Sequence, residues 1–241
     1  MTLIIGVVLP KGILLVSDTR GTYSTTGEVA SDFRKKILSI TPNVDLAGSG
    51  SESNWHASKI LRECLFNTVY LNPFRYSNVE IRSEILNLYH HINTLHKNNH
   101  HNGDPMGQLL VAEFDNSTFN FNLLQQCGTE GFHTFNILNT VYDVAAIGSS
   151  LEIRNNVIAE VSLNLNRIPL QFLNHEKLYI IVADSCHQII KSQQDSGIGK
   201  NIYCSYLTQE NGVARHCKFL IKENGEQYQF ETDDGLEEIK Y

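Results

Sequence analysis

Little in this sequence suits a secreted scaffold, a membrane protein or a nucleic-acid binder. Its 241 residues hold five cysteines, Cys64, Cys127, Cys186, Cys204 and Cys217, an odd number without tight spacing. A disulfide framework needs pairs, so these read as free thiols of a reducing compartment, mostly buried. No apolar run approaches the roughly 20 residues of a membrane span. No basic stretch leading into an apolar one opens the chain, so no signal peptide is expected. Lys and Arg number 19 against 26 Asp and Glu, a net charge of -7, and the basic residues are scattered. That distribution argues against a nucleic-acid surface. Low-complexity segments, repeats and linkers are also missing, which leaves a single domain over 1–241 in the cytoplasm. Asn116-Ser117-Thr118 fits a glycosylation acceptor but reads as a turn without secretion. Gly197 and Gly199 are not followed by GK[ST], so they make no phosphate loop, and no cofactor is expected.

What is present begins with apolar strands. Residues 3–9 (LIIGVVL) and 12–17 (GILLVS) are split by Pro10-Lys11, and 36–40 (KILSI) and 44–47 (VDLA) by Thr41-Pro42-Asn43. Such pairs read as an antiparallel meander. The period then turns helical. Over 49–70, Ala57, Ile60, Leu61, Cys64, Leu65 and Thr68 share a face, with Ser49 and Glu52 as a capping box. A second helix over 78–96 carries Ile81, Ile85, Leu88, Ile92 and Leu95 behind a Ser77/Glu80 box. HKNNHHNGDP (96–105) reads as a loop. Strands return at 108–114, 119–124 and 142–147, with Asp115-Asn116-Ser117 turning the first into the second. A short helix follows Ser150, a longer one spans 175–193, and strands close the chain at 201–207, 213–221 and 226–231. Two strand blocks, each followed by a helix pair, fit an α+β domain of two stacked sheets with helices on both outer faces.

The chemistry centres on Thr2. A threonine hydroxyl keeps its proton at neutral pH and needs a base to become a nucleophile. A free α-amine, with a pKa near about 8, is such a base when the threonine is itself N-terminal. Met1 would have to be trimmed, which is common before small residues. The stretch GILLVSDTR (12–20) ends a strand in polar residues, placing Asp18 and Arg20 beside the start of the first strand. Phe33-Arg34-Lys35-Lys36 then enters KILSI. A buried lysine near the threonine hydroxyl would lower its pKa, and an aspartate would hold that lysine in place. Ala47-Gly48-Ser49-Gly50 joins a strand to a capped helix, where backbone N–H groups can stabilise an oxyanion.

Together these pieces resemble a proteasome β-type subunit of the N-terminal nucleophile (Ntn) hydrolase superfamily. Met106-Gly107-Gln108-Leu109-Leu110-Val111 and Ala146-Ile147-Gly148-Ser149-Ser150 extend the likeness in register over most of residues 2–207. The short leader and the DTR…FRK pattern are similar to bacterial proteasome homologues, including the Anbu-type proteins. The resemblance implies a four-layer αββα sandwich and a threonine peptidase. It implies Thr2 as nucleophile, Lys36 as the tuning lysine, Asp18 as its orienting carboxylate and Gly48 as oxyanion donor. Arg20 would support the loop that holds Asp18, and Ser149 would bond near the amine. Lys35 stays open as the alternative lysine, because the spacing from Arg20 is two residues longer than the family pattern. Asp195 and Ser196 would serve the amine network, although Gln193 stands where the family has aspartate. Arg34, Leu46 and Gly50 would fall near the specificity pocket. The implied substrate is a peptide or unfolded protein, the implied assembly a homo-oligomeric ring or helical ring, with an unfoldase as a further partner.

Two other readings stand beside this one: a non-catalytic scaffold subunit with Met1 retained, and an amidohydrolase acting on small amides. His90, His91, His96, His100 and His101 suggest a metal site, yet no carboxylate or cysteine cluster completes one, so a solvated helix end and loop is expected. Cys186-His187 reads as core or interface, and the acidic stretch from Glu231 to Glu238 as solvated.

Overall fold

The computed structural model describes every residue except 1, 24, 25, 74, 100, 101, 173, 174 and 232. Strands β1 (Leu3–Leu9) and β2 (Gly12–Asp18) are buried along their whole length. Uninterrupted apolar runs of this kind suit strands covered on both faces. Alternation sends Leu3, Ile5, Val7, Leu14 and Val16 into one cluster and Ile4, Val8, Ile13 and Leu15 into another.

The remaining strands are β3 (Gly21–Thr22), β4 (Val29–Ser31), β5 (Ile37–Thr41), β6 (Val44–Gly50), β7 (Gly107–Asp115), β8 (Asn120–Cys127), β9 (Asn136–Leu138), β10 (Val144–Gly148), β11 (Ile202–Glu210), β12 (Val213–Ile221) and β13 (Gln227–Phe230). One sheet runs β10-β1-β2-β11-β12-β13 and a second β5-β6-β7-β8-β9, with β3-β4 a separate hairpin. All of these pairs are antiparallel. The fold is therefore mixed α+β with antiparallel sheets. Ile4, Leu15, Tyr203 and Leu220 of the first sheet share a cluster with Ile37, Leu110, Phe114 and Leu123 of the second. Gly6 permits this approach, since a Cβ there would stand 2.8 Å from Leu123 Cδ1.

Helices α1 (Glu52–Leu71) and α2 (Asn78–Asn99) place Ala57, Leu61, Leu65, Ile81, Ile85 and Tyr89 against Leu46, Leu109 and Val111. Helices α3 (Leu151–Asn166) and α4 (Leu178–Ser192) place Val157, Val161, Val182 and Ile190 against Leu3, Val7 and Val16. Ser150 caps α3, its hydroxyl accepting the Ile153 N–H at 3.2 Å, and α3 is longer than the short helix expected. The Ser77/Glu80 box forms: the Glu80 carboxylate accepts the Ser77 N–H at 2.7 Å and Ser77 Oγ accepts the Glu80 N–H at 3.3 Å.

Several expectations are corrected. Ser49 does not cap α1, because β6 continues through Gly50, which pairs with Gly107. Glu52 turns to Arg34 instead, at 2.8 Å, and Ser51 Oγ donates to the Met106 carbonyl. The helix starts at Glu52 behind Ser51, so Glu52 is its first residue and cannot complete a box with Ser49. Ile60, Cys64 and Leu95 face outward, and Trp55, Ser58, Val69 and Asn93 are inside. Helix α2 runs three residues past the expected end, and Lys97 in its last turn favours it through the helix dipole. His100 and His101 lie outside the described residues. The five cysteines are free thiols, but only Cys186 and Cys204 are buried. No helix among the described residues is long and apolar enough to cross a membrane.

The acidic stretch before the C-terminus is not solvated throughout. The Asp233 side chain is only 3% exposed and meets both Lys35 and Lys218 at 3.3 Å. It belongs to a buried network with Asp45, whose carboxylate takes the Ser205 hydroxyl at 2.6 Å and faces His216 at 3.1 Å. Burial alone would raise both acids. The His216 ring and Lys218 outweigh it at Asp45, and Lys218 and Lys35 at Asp233, so both carboxyls sit well below the usual range.

Candidate functional site

Pairing of β1 with β2 sets Ile4 opposite Ser17, so Thr2 lies beside the end of β2, where Asp18 is fully buried. The Asp18 carboxylate gathers four donors. Oδ1 accepts the Leu3 N–H at 2.8 Å and Lys36 Nζ at 2.7 Å, and Oδ2 accepts the N–H groups of Gly199 at 3.0 Å and Arg20 at 3.1 Å. A buried charge is tolerated only when satisfied in this way.

Of the two lysines, Lys36 is the one that meets Asp18. Lys35 turns away to Asp233 and Asp234. Successive residues of an extended chain point to opposite faces, so one lysine can serve each carboxylate. Burial pulls the Lys36 ammonium below the ordinary lysine range; Asp18 opposes this, and the Arg34 and Arg20 charges add to it.

The Thr2 carbonyl accepts the Ser149 N–H at 2.7 Å. Gly148 just before it has φ +86°, and a Cβ there would stand 2.0 Å from that carbonyl oxygen, so only glycine fits. Ser149 itself has φ +30°, an uncommon conformation for a residue with a side chain and a type of strain that clusters at functional sites. The Gly148 N–H donates to Gln108 Oε1 at 2.9 Å, and Arg154 Nη1 donates to the same oxygen at 2.7 Å. The second sheet thus holds the turn that holds Thr2.

Thr2, Arg20, Lys36, Gly48 and Ser149 all line a cavity of about 690 Å³. Arg34 and Gly50 line it too, whereas Leu46 is buried under α1 and α2. Arg20 forms an ion pair with Asp32 at 2.7 Å and donates from Nη1 to the Ser196 carbonyl at 2.8 Å. The structure does not bring Asp195 and Ser196 into this cavity. Asp195 Oδ1 accepts the Gly197 N–H at 2.8 Å and so closes its own turn, which presents Gly199 to Asp18.

The expected oxyanion donor is engaged in the sheet: the Gly48 N–H donates to the Lys36 carbonyl at 3.1 Å. Ser49 and Gly50 lie in β6, so this corner is not a helix N-terminus. Asn54 secures it instead, donating to the carbonyls of Ser49 at 2.9 Å and Gln108 at 3.1 Å. Asn54, Gln108 and His96 are cavity residues that sequence reasoning missed. Gln108 had a signal in its place just after Gly107 at a strand start. Asn54 and His96 had none, since their places depend on how α1 and α2 lie over β6 and β7. His96 Nδ1 is 3.2 Å from Ser53 Oγ. No group of three or more His, Cys, Asp or Glu residues able to hold a metal occurs among the described residues.

No protein-family model matches the chain, and no curated protein matches it.

Proposed function

We propose that the protein is a threonine peptidase in which Thr2, once Met1 is removed, is the nucleophile. The observation that carries this reading is the buried Lys36–Asp18 pair, whose lysine lines, with Thr2, a cavity of about 690 Å³. An ammonium held in place by a carboxylate is suited to lower the pKa of a nearby hydroxyl. In the proposed reaction the α-amine takes the Thr2 hydroxyl proton as Oγ1 bonds to the scissile carbonyl carbon. The amine then gives that proton to the departing amine as the C–N bond breaks, leaving an ester on Thr2. Water attacks the ester with the same amine as base, and the acid product leaves with Thr2 restored. The Gly48 N–H would serve the oxyanion by sharing its bond to Lys36. Ser149 would orient the amine, and Arg20 would hold Asp18 from behind.

We read the packing as the αββα order, with α1 and α2 outside one sheet and α3 and α4 outside the other. The three hydrophobic clusters support that reading. Exposed Ile60, Leu71 and Val79 on one helix pair and Leu151, Leu163 and Ile181 on the other support a homo-oligomer built through helix faces. An unfoldase partner and a cytoplasmic location belong to the same proposal.

The engaged Gly48 N–H, and the placement of Asp195 and Ser196 outside the cavity, favour the scaffold reading as second. Hydrolysis of a peptide panel by wild type, Thr2→Ser and Thr2→Ala separates the two. The peptidase keeps some turnover with serine and none with alanine. Equal rates in all three would defeat the proposal.

A further inference from the structure

The segment near the C-terminus that looked like a solvated acidic run is folded onto the stretch that leads into Lys36. The Lys35 N–H donates to the Glu237 carbonyl at 2.6 Å, and the Ile239 N–H to the Phe33 carbonyl at 2.7 Å. Arg34 and Glu238 form an antiparallel bridge between them. Ile239 is 6% exposed and joins the cluster between the sheets, and the Tyr241 ring lies 5.0 Å from that of Phe33. Side chains repeat the attachment. Asp233 accepts the Ser39 N–H at 2.8 Å while meeting Lys35, and the Glu238 carboxylate takes the Ser31 hydroxyl at 2.8 Å. Glu237 pairs with the Arg34 guanidinium, which also holds Glu52 at 2.8 Å and lines the cavity.

We propose that residues 233–239 are a positioning element of the Thr2 cavity, fixing the backbone of 33–35 ahead of Lys36 and holding Arg34 on the cavity wall between two carboxylates. Lys36 follows directly on a strand-like pairing with this segment, so its approach to Asp18 is set from that side. The segment also sets the charge that a ligand meets. Arg34 alone would favour an acidic group, but with Glu237 and Glu52 on it the Arg34 charge is matched. Glu237 is thus a specificity-determining residue that keeps acidic side chains from being preferred. The first of these claims stands on geometry alone; the second rests on the peptidase reading.

The test uses the full chain with Ile239→Pro, which removes the N–H given to Phe33, and with Glu237→Gln, which removes a charge. Hydrogen exchange at the amides of 33–36 is followed, with β1 amides as internal control. Ile239→Pro is expected to speed exchange at Lys35 by roughly tenfold, the order expected for one lost hydrogen bond, and to leave β1 unchanged. Unchanged exchange at Lys35 would overturn the positioning claim, whether or not the protein has any activity. Adduct formation by peptide epoxyketones with acidic and neutral side chains then reads the charge. Glu237→Gln should shift the rate ratio toward the acidic reagent by about fivefold, the scale of a partly exposed ion pair. An unmoved ratio, with adducts formed, would overturn the role of Glu237. Absence of any adduct in wild type would remove the peptidase reading and with it that role, while the exchange result still decides the positioning.

Discussion

Neutralising Asp18 and removing Lys36 are not equivalent perturbations, although the two form one ion pair. Asp18 is fully buried and receives three backbone N–H groups, from Leu3, Arg20 and Gly199, besides Lys36. Lys36→Met therefore leaves a carboxylate that is still solvated by amides, and it also removes a buried ammonium. Its cost should be about 1–3 kcal/mol, the range for losing one charged hydrogen bond. Asp18→Asn strands the ammonium and turns an NH2 group toward donors that had an oxygen. Breaking a buried pair from that side costs about 3–5 kcal/mol, a large part of the roughly 5–15 kcal/mol that holds a domain together. Urea unfolding followed by circular dichroism measures both. The double variant should be more stable than Asp18→Asn alone, because the uncompensated charge has gone with Lys36. Equal costs for the two single changes, or a cost for Asp18→Asn below about 1 kcal/mol, would refute this account of the pair.

Gly148→Ala must place a Cβ on the Thr2 carbonyl, so its loss in a thermal melt should far exceed the ~1 kcal/mol of Gly103→Ala, where positive φ is the only obstacle. Lys36 is held below its unfolded value of 10.5, so the unfolded chain binds more protons between the two values and stability should rise with pH in that window. Lys36→Met should flatten that slope in alkaline unfolding curves. Asp45 and Asp233 are depressed below 3.8, so their stabilisation is present above that pH and lost as pH falls toward their folded values. Asp233→Asn should make acid unfolding shallower. In a thiol-labelling time course Cys64 should react first, and Cys186 and Cys204 only on unfolding, since burial encloses both and raises the Cys186 thiol to about 12.

The strands of the core were legible because β1 and β2 are buried on both faces and their sequences are apolar without a break. The Ser77 and Ser150 helix starts were legible because their caps are local. Ser49 failed for the opposite reason: a long-range pairing of Gly50 with Gly107 carried the strand past it and moved the helix start to Glu52, overriding a local pattern. Lys36 and Lys35 could not be told apart by spacing, since the choice depends on which acid waits on each face. Asp233, the acid facing Lys35, lies about two hundred residues away in sequence. Acidic composition near the chain end suggested solvent, and only tertiary contacts with Lys35, Lys218 and Ser39 enclose the Asp233 side chain. The cavity residues Asn54 and His96 sit on helices whose apolar pattern says nothing of what lies beneath.

The nucleophile is tested most directly by the intact mass of the purified protein, alone and after a peptide epoxyketone, a reagent that needs both the hydroxyl and the free amine of an N-terminal threonine. The account predicts a mass lacking methionine and a single adduct, abolished by Thr2→Ala. A mass that retains methionine, with no adduct, would contradict it and leave the cavity to the scaffold reading.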